Sequence, residues 1–247
     1  MNRLRWILIA ALVALALGAL GFVAWAEIIP APEPIALAAM QSDAAVQVSD
    51  SRWLVFTPTP TAAAPVAGFI FYPGGKVDPR AYAPQAHAIA AQGYLVVIVP
   101  VPLHLAILAP NAAADVQAAY PHITRWAVGG HSLGGVMAAH FAHDHPQSVQ
   151  GLALWASYPQ ASDDLSGRAL AVVSISGTLD GLSTPAKIDA SRPLLPASTT
   201  WVVIPGGDHG QFGWYGPQSG DNPATIDHAA QSAQTVAATV ALLAGLK

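Results

Sequence analysis

The chain has 247 residues, enough for one α/β domain with a buried sheet and short for two. It is 53% apolar and only 10% charged, with a net charge of −4 and no basic run, a balance that repels phosphate backbones and excludes nucleic acid as a partner. There is no cysteine, which excludes a thiolate nucleophile, a disulfide framework and cysteine metal sites together.

Arg3 and Arg5 precede an unbroken apolar run from Trp6 to Ala26, and Glu27 is the first acid. A helix of about 20 apolar residues crosses the hydrocarbon core of a bilayer. Arginines on the N-terminal flank favour keeping that end in the cytoplasm, which would put everything after Glu27 on the extracytoplasmic side. Ala24-Trp25-Ala26 also fits the small-x-small site of signal peptidase, and cleavage there would release a secreted protein. A secretory apolar core is usually about 7–15 residues, shorter than this run, so length favours a retained membrane anchor over residues 1–26. Of ten basic residues, Arg3 and Arg5 lie in that segment and none of the fourteen acids does, so the remainder carries −6. Pro30, Pro32 and Pro34 predict an extended tether over 27–45, ahead of a domain at 46–247.

Within that domain strand-like and helix-like segments alternate. Residues 46–56 break at Ser49-Asp50-Ser51 and predict an antiparallel hairpin. Residues 67–72 form an apolar strand ending at Pro73-Gly74-Gly75. Residues 82–92 read as a helix closed by Gly93, and 94–99 as the most apolar strand, a candidate for the sheet centre. A helix follows over 111–120 with Asn111 as its cap, then a strand over 123–129 and a helix over 133–143. Strands at 149–156, 169–175 and 200–204 and a last helix over 224–243 complete the pattern. Strands separated by helices imply a mostly parallel sheet with helices on both faces, an α/β fold. The short connection between the strands ending at Ala156 and starting at Ala169 leaves no room for a large lid.

Gly130-His131-Ser132-Leu133-Gly134 matches G-x-S-x-G. That motif places a serine on a strained strand-to-helix turn, where glycine on each side removes side chains that would collide. An apolar strand runs into it and an alanine-rich helix leaves it, as the turn requires. A nucleophilic serine needs a base, and the base needs an orienting acid. Asp180 in Gly-Thr-Leu-Asp-Gly and His209 in Gly-Gly-Asp-His-Gly each follow a predicted strand end, in the chain order Ser, Asp, His that such sheets use. Asp208 is the rival acid, but adjacent side chains point in different directions. The oxyanion donors expected are the amide of Leu133 and one from the turn after residue 72, Gly74 or else Gly75.

These segments resemble the fold-5 group of α/β-hydrolases, a branch related to dienelactone hydrolases. The likeness rests on Tyr-Pro-Gly-Gly-Lys-Val at 72–77, Gly-Gly-His-Ser-Leu-Gly-Gly at 129–135 and Leu-Trp-Ala-Ser-Tyr-Pro at 154–159. It extends through Gly-Thr-Leu-Asp-Gly-Leu at 177–182 and Gly-Asp-His-Gly-Gln-Phe-Gly-Trp-Tyr-Gly at 207–216. The resemblance implies the fold, a Ser132–His209–Asp180 triad and hydrolase chemistry. Dienelactone hydrolases use a cysteine nucleophile, absent here, so their substrate is not implied.

The expected substrate is a small, accessible carboxylic ester, cleaved through an acyl-enzyme without metal or organic cofactor. Thioester or amide cleavage by the same residues, or a silent binding role on the same scaffold, are the alternatives. Tyr72, Trp155, Phe212 and Trp214 lie near predicted strand ends and are candidates to line the substrate pocket. His140, His143 and His145 read as helix-end residues that complement the dipole, not as a metal site.

Overall fold

The computed structural model describes residues 2–59, 65 and 67–246. Two helices come first, α1 (Asn2–Glu27) and α2 (Pro34–Ala38). Three strands follow, β1 (Val46–Asp50), β2 (Leu54–Pro58) and β3 (Ala67–Tyr72). Next are α3 (Ala83–Ala90), β4 (Leu95–Ile98), α4 (Ala112–Ala119), β5 (Arg125–His131), α5 (Leu133–Asp144) and β6 (Gly151–Trp155). The chain ends with β7 (Ala171–Gly177), α6 (Pro185–Ala190), β8 (Thr200–Ile204) and α7 (His228–Ala244).

The eight strands form one sheet in the order β1-β2-β4-β3-β5-β6-β7-β8. β1 and β2 form the expected antiparallel hairpin, and β2 is antiparallel to β4; every other pair is parallel. Strand β4 is inside the sheet but not at its centre, as its apolarity had suggested; β3 and β5 take that place. All of β3, β4 and β6 is buried, which explains why these strands read as continuous apolar runs: helices cover both faces.

Alternation along β3 sorts its side chains. Phe69 and Phe71 join a cluster with Ile89, Trp155 and Leu243 on one face. Ile70 and Tyr72 join Val116, Val128 and Phe141 on the other. Truncating one of these buried rings, such as Phe71→Ala, would cost about 3–5 kcal/mol.

Two segments depart from the sequence pattern. Residues 27–45 are not an extended tether. Pro34 starts α2, a position that suits its fixed φ. Ala36 is fully buried, and α2 packs on α3 and on the single turn Pro79–Tyr82. The last helix begins four residues after the expected Ala224, because the amides of Ala224 and Thr225 are taken by Asp208 and by the Gly206 carbonyl. Residues 156–170 contain no helix or strand, so no large lid stands between β6 and β7.

Candidate active site

The site lies at the carboxyl ends of β3, β5, β7 and β8, which parallel pairing brings to one rim. Tyr72 pairs with Gly130, His131 with Trp155, Trp155 with Ile175, and Gly177 with Ile204. Ligands of open parallel sheets gather at this rim.

Ser132 follows β5 directly and has φ 51° and ψ −122°, outside the regions that L-residues favour. Its surroundings hold it there. Its amide donates to the Trp155 carbonyl at 3.0 Å, and its carbonyl accepts from the Ser157 hydroxyl at 2.7 Å. The turn is tight enough to exclude side chains: a Cβ on Gly134 would strike the carbonyl oxygens of Tyr72 and Pro73. Leu133 opens α5, whose first-turn amides have no intrahelical acceptor.

His209 and Asp180 meet as a buried pair. Nδ1 of His209 lies 2.9 Å from Oδ2 of Asp180, and neither side chain has any exposure. The other carboxylate oxygen accepts from the amides of Leu182 and Ser183 at 2.8 and 2.7 Å. Asp208 does not compete for the imidazole. Its carboxylate accepts from the amides of Gln211 and Ala224, and the buried Gln231 of α7 bonds both its amide and its carbonyl. Burial shifts the Asp208 carboxyl upward from its ordinary value. Nε2 of His209 is buried and makes no hydrogen bond, so the link from Ser132 to His209 is open in this structure.

His131 ties the two loops together. Its ring centroid is 4.5 Å from that of His209, and it stacks on Phe212 at 5.7 Å and 19°. Nδ1 of His131 lies 2.9 Å from the Tyr82 hydroxyl, which accepts from the Gly74 amide at 3.0 Å. Burial, and then the neighbouring His209, hold the His131 pKa well below the usual histidine range. The neutral ring is thus favoured, with Nδ1 accepting a hydrogen bond from the Tyr82 hydroxyl.

That bond alters the expected oxyanion donors. The Gly74 amide is occupied by Tyr82, whereas Gly75 lies near the start of α5: a Cβ added there would be 3.2 Å from Leu133 Cδ2. The aromatic candidates are also corrected. Tyr72 is fully buried, donating to the Pro110 carbonyl and accepting from the Ala113 amide, so it fastens the loop after β4 and does not line open space. Trp155 is in the core, 4.5 Å from Phe71 by ring centroids, with its indole donating to Thr239. Phe212 is buried and stacks on His131, and Trp214 stacks on His228 at 3.5 Å. Nothing in sequence distinguishes a ring that faces a cleft from one that faces the core.

Sequence reasoning also missed Asp221. Its Oδ2 accepts from the amides of His209 and Gly210 at 2.8 and 2.9 Å, and its Oδ1 accepts from the Gly181 amide at 2.8 Å. One carboxylate thus joins the acid loop to the histidine loop. Among the helix-end histidines, His140 Nδ1 is 3.2 Å from Asp163 and His145 Nε2 is 3.0 Å from the Asn111 amide oxygen.

Residues 68–233 match the model of the alpha/beta hydrolase family, which spans most of the chain. The chain belongs to that family. A hydrolase is what the fold and the family together describe. A search of curated proteins found no match. Among solved structures, the family member described here is similar to a predicted CIB-like hydrolase from Thermoplasma acidophilum, with a TM-score of 0.56 and 15% identity over 82% of this chain and 99% of that one. It is also similar to the esterase domain of a Rhodothermus marinus protein, with a TM-score of 0.56 and 14% identity over 78% of this chain and 90% of that one. At such identities the likeness is one of fold.

Proposed function

We propose that the hydrolase is a serine esterase acting on carboxylic ester bonds, with Ser132 as nucleophile, His209 as base and Asp180 as the acid that orients it. One observation carries this reading: a serine held at positive φ on a strand-to-helix turn, beside a fully buried imidazole–carboxylate pair on the same rim. A binding scaffold would have no use for the strain or for the burial of both partners. The neighbour from Rhodothermus marinus, described as an esterase domain, supports the same chemistry. The motifs quoted above support placing the chain in the fold-5 branch.

Asp180 accepts a hydrogen bond from the Nδ1–H of His209, which leaves the lone pair of Nε2 available. The reaction requires the Ser132 hydroxyl to reach Nε2 in the substrate complex, where such contacts tighten. The Ser132 oxygen then bonds to the ester carbonyl carbon while its proton passes to Nε2. Negative charge collects on the former carbonyl oxygen, where the amides of Leu133 and Gly75 are the donors of choice; each such donor contributes about 3 kcal/mol. Collapse breaks the bond to the alcohol oxygen, which takes the proton from Nε2. Water adds to the acyl-enzyme, gives its proton to Nε2, and the carboxylic acid leaves as that proton returns to Ser132. His131 stays neutral through this cycle, so no second cation opposes the His209 imidazolium.

Helix α1 is read as a retained membrane anchor with the domain on the extracytoplasmic side. Within Arg5–Glu27 an 18-residue window has a mean hydropathy of 2.7 and no buried residue, and the flanking arginines favour that orientation. Intact mass of the protein from the membrane fraction tests this, because cleavage after Ala26 removes the whole helix.

Labelling with a fluorophosphonate, wild type beside Ser132→Ala, tests the chemistry. The wild type should be labelled at Ser132 and the variant left unlabelled. Labelling of both, or of neither, removes the proposed nucleophile.

A further inference from the structure

The end of α1 does not hang free of the domain. Its last turn packs on the loop that leaves β4, at the single turn Pro102–His104. Glu27 Oε2 lies 3.5 Å from His104 Nε2, and Lys76 Nζ sits 4.0 Å above the Trp25 ring. Ala26, between them, is fully buried. The Lys76 amide donates to the His104 carbonyl at 2.8 Å, so the loop, the helix end and the Gly75–Lys76 turn form one unit. A side chain added at Gly75 would place its Cβ 3.2 Å from Leu133, the residue after Ser132, and 3.9 Å from Leu105 of the loop, so the three lie side by side.

The loop itself is unusual for an aqueous surface. From Pro100 to Pro110 its only polar side chain is His104. Ile107 and Leu108 are 58% and 49% exposed, and they belong to the same loop as the residues holding α1. Among the described residues that follow α2, the only other exposed large apolar side chain is Val203. An exposed apolar pair beside the end of a helix long enough to cross a bilayer lies at the level where that helix leaves the hydrocarbon, a level that Trp25 also suits.

We infer that the 102–108 loop docks into the bilayer surface beside α1, and that the site takes its ester from a lipid in that leaflet. This rests on the reading of Ser132 as nucleophile and α1 as anchor. Leu105, Gly75 and Leu133 link the docked loop to the oxyanion donors, so an acyl chain leaving the bilayer needs to travel only across that rim. With no large lid after β6, the membrane itself covers the site on this side. Substrate cleavage follows the acyl transfer written above, with the lipid alcohol as leaving group and water as acyl acceptor.

The absence of cysteine makes a direct test available. The full chain would be reconstituted in vesicles of phosphatidylcholine containing some phosphatidylglycerol. An environment-sensitive fluorophore is attached at Leu108→Cys, or at Gln147→Cys, an exposed position before β6 at the opposite ends of the strands. Docking requires blue-shifted emission at 108, quenched by lipids spin-labelled near the headgroup, with neither effect at 147. Water-like emission at 108 overturns the proposal.

In the same vesicles, the wild type and the double variant Ile107→Ser, Leu108→Ser are compared on p-nitrophenyl butyrate and on a fluorogenic diacyl lipid in the bilayer. The double variant should lose about tenfold on the lipid and keep its rate on the soluble ester. An equal change on both substrates, or a wild type that cleaves only the soluble one, also overturns it. If the wild type cleaves neither, or Ser132→Ala cleaves as fast, the esterase reading fails, and the fluorophore still decides docking by itself.

Discussion

The carboxylate of Asp221 holds the backbone of His209: its Oδ2 accepts the His209 amide at 2.8 Å while its Oδ1 accepts the amide of Gly181, next to Asp180. The two residues proposed as acid and base are therefore tied together through main-chain amides by a third residue's carboxylate. Asp221→Ala should lower kcat by about tenfold to a hundredfold, because displacement of a reacting group by about an ångström costs that much. Asp221→Asn, which keeps one acceptor oxygen, should fall between. Steady-state kinetics on a soluble ester, with KM and thermal unfolding measured alongside, separate this from a general loss of fold: kcat should drop more than stability explains.

Asp180→Asn tests the orienting role. Asn keeps an oxygen for the amides of Leu182 and Ser183 but turns an NH2 toward Nδ1, so His209 would be held in the wrong tautomer. A fall in kcat of about 10⁴ is expected with KM little changed. A variant within a few-fold of wild type would move the acid elsewhere.

Tyr82→Phe deletes a hydroxyl that satisfies the Gly74 amide and His131 Nδ1 at once. Both partners are buried, and leaving them unpaired should cost about 2 kcal/mol of stability. Denaturant midpoints of the two proteins check this.

Acid should destabilise the fold before the carboxylates titrate. Burial holds the His228 pKa at about 4, against 6.5 for the free side chain, and His131 is lowered in the same direction. Between those values the unfolded chain binds more protons than the folded one. Their contribution is therefore complete above about 6.5 and is lost as pH falls toward 4. Melting temperatures across that range should decline for the wild type. They should decline less for His228→Phe, which keeps a ring against Trp214 and removes a buried nitrogen that has no partner.

The sequence was most legible where backbone geometry dictates residue type. Strand β3 and the Gly-x-Ser-x-Gly turn announce themselves because a doubly covered parallel strand must be apolar throughout and a sharp turn must shed its side chains. Asp180 and His209, which the fold brings into contact, stood out by their place after strand ends, which is a property of order along the chain. Asp221 carried no such signal: it acts on main-chain amides of two distant loops, and any exposed-looking Asp-Asn pair reads the same. Nor could sequence show that the Gly74 amide is claimed by a tyrosine side chain eight residues on, a contact that the bend at Pro79–Tyr82 creates. Trp155 and Tyr72 showed the limit of aromatic position: periodicity places them at a rim, but each ring turns into the packing beneath it.

The segment between α1 and the sheet acts as a strap. Its Glu33 amide donates to the carbonyl of Trp214, a few residues beyond His209, and Ala36 is sealed beneath it. A protein shortened to begin at the sheet would lose a stitch in the histidine loop along with α1, so rates measured on such a trimmed form would describe a slackened version of the enzyme. If α1 is the anchor proposed above, lateral tension on the bilayer would pull on that same stitch.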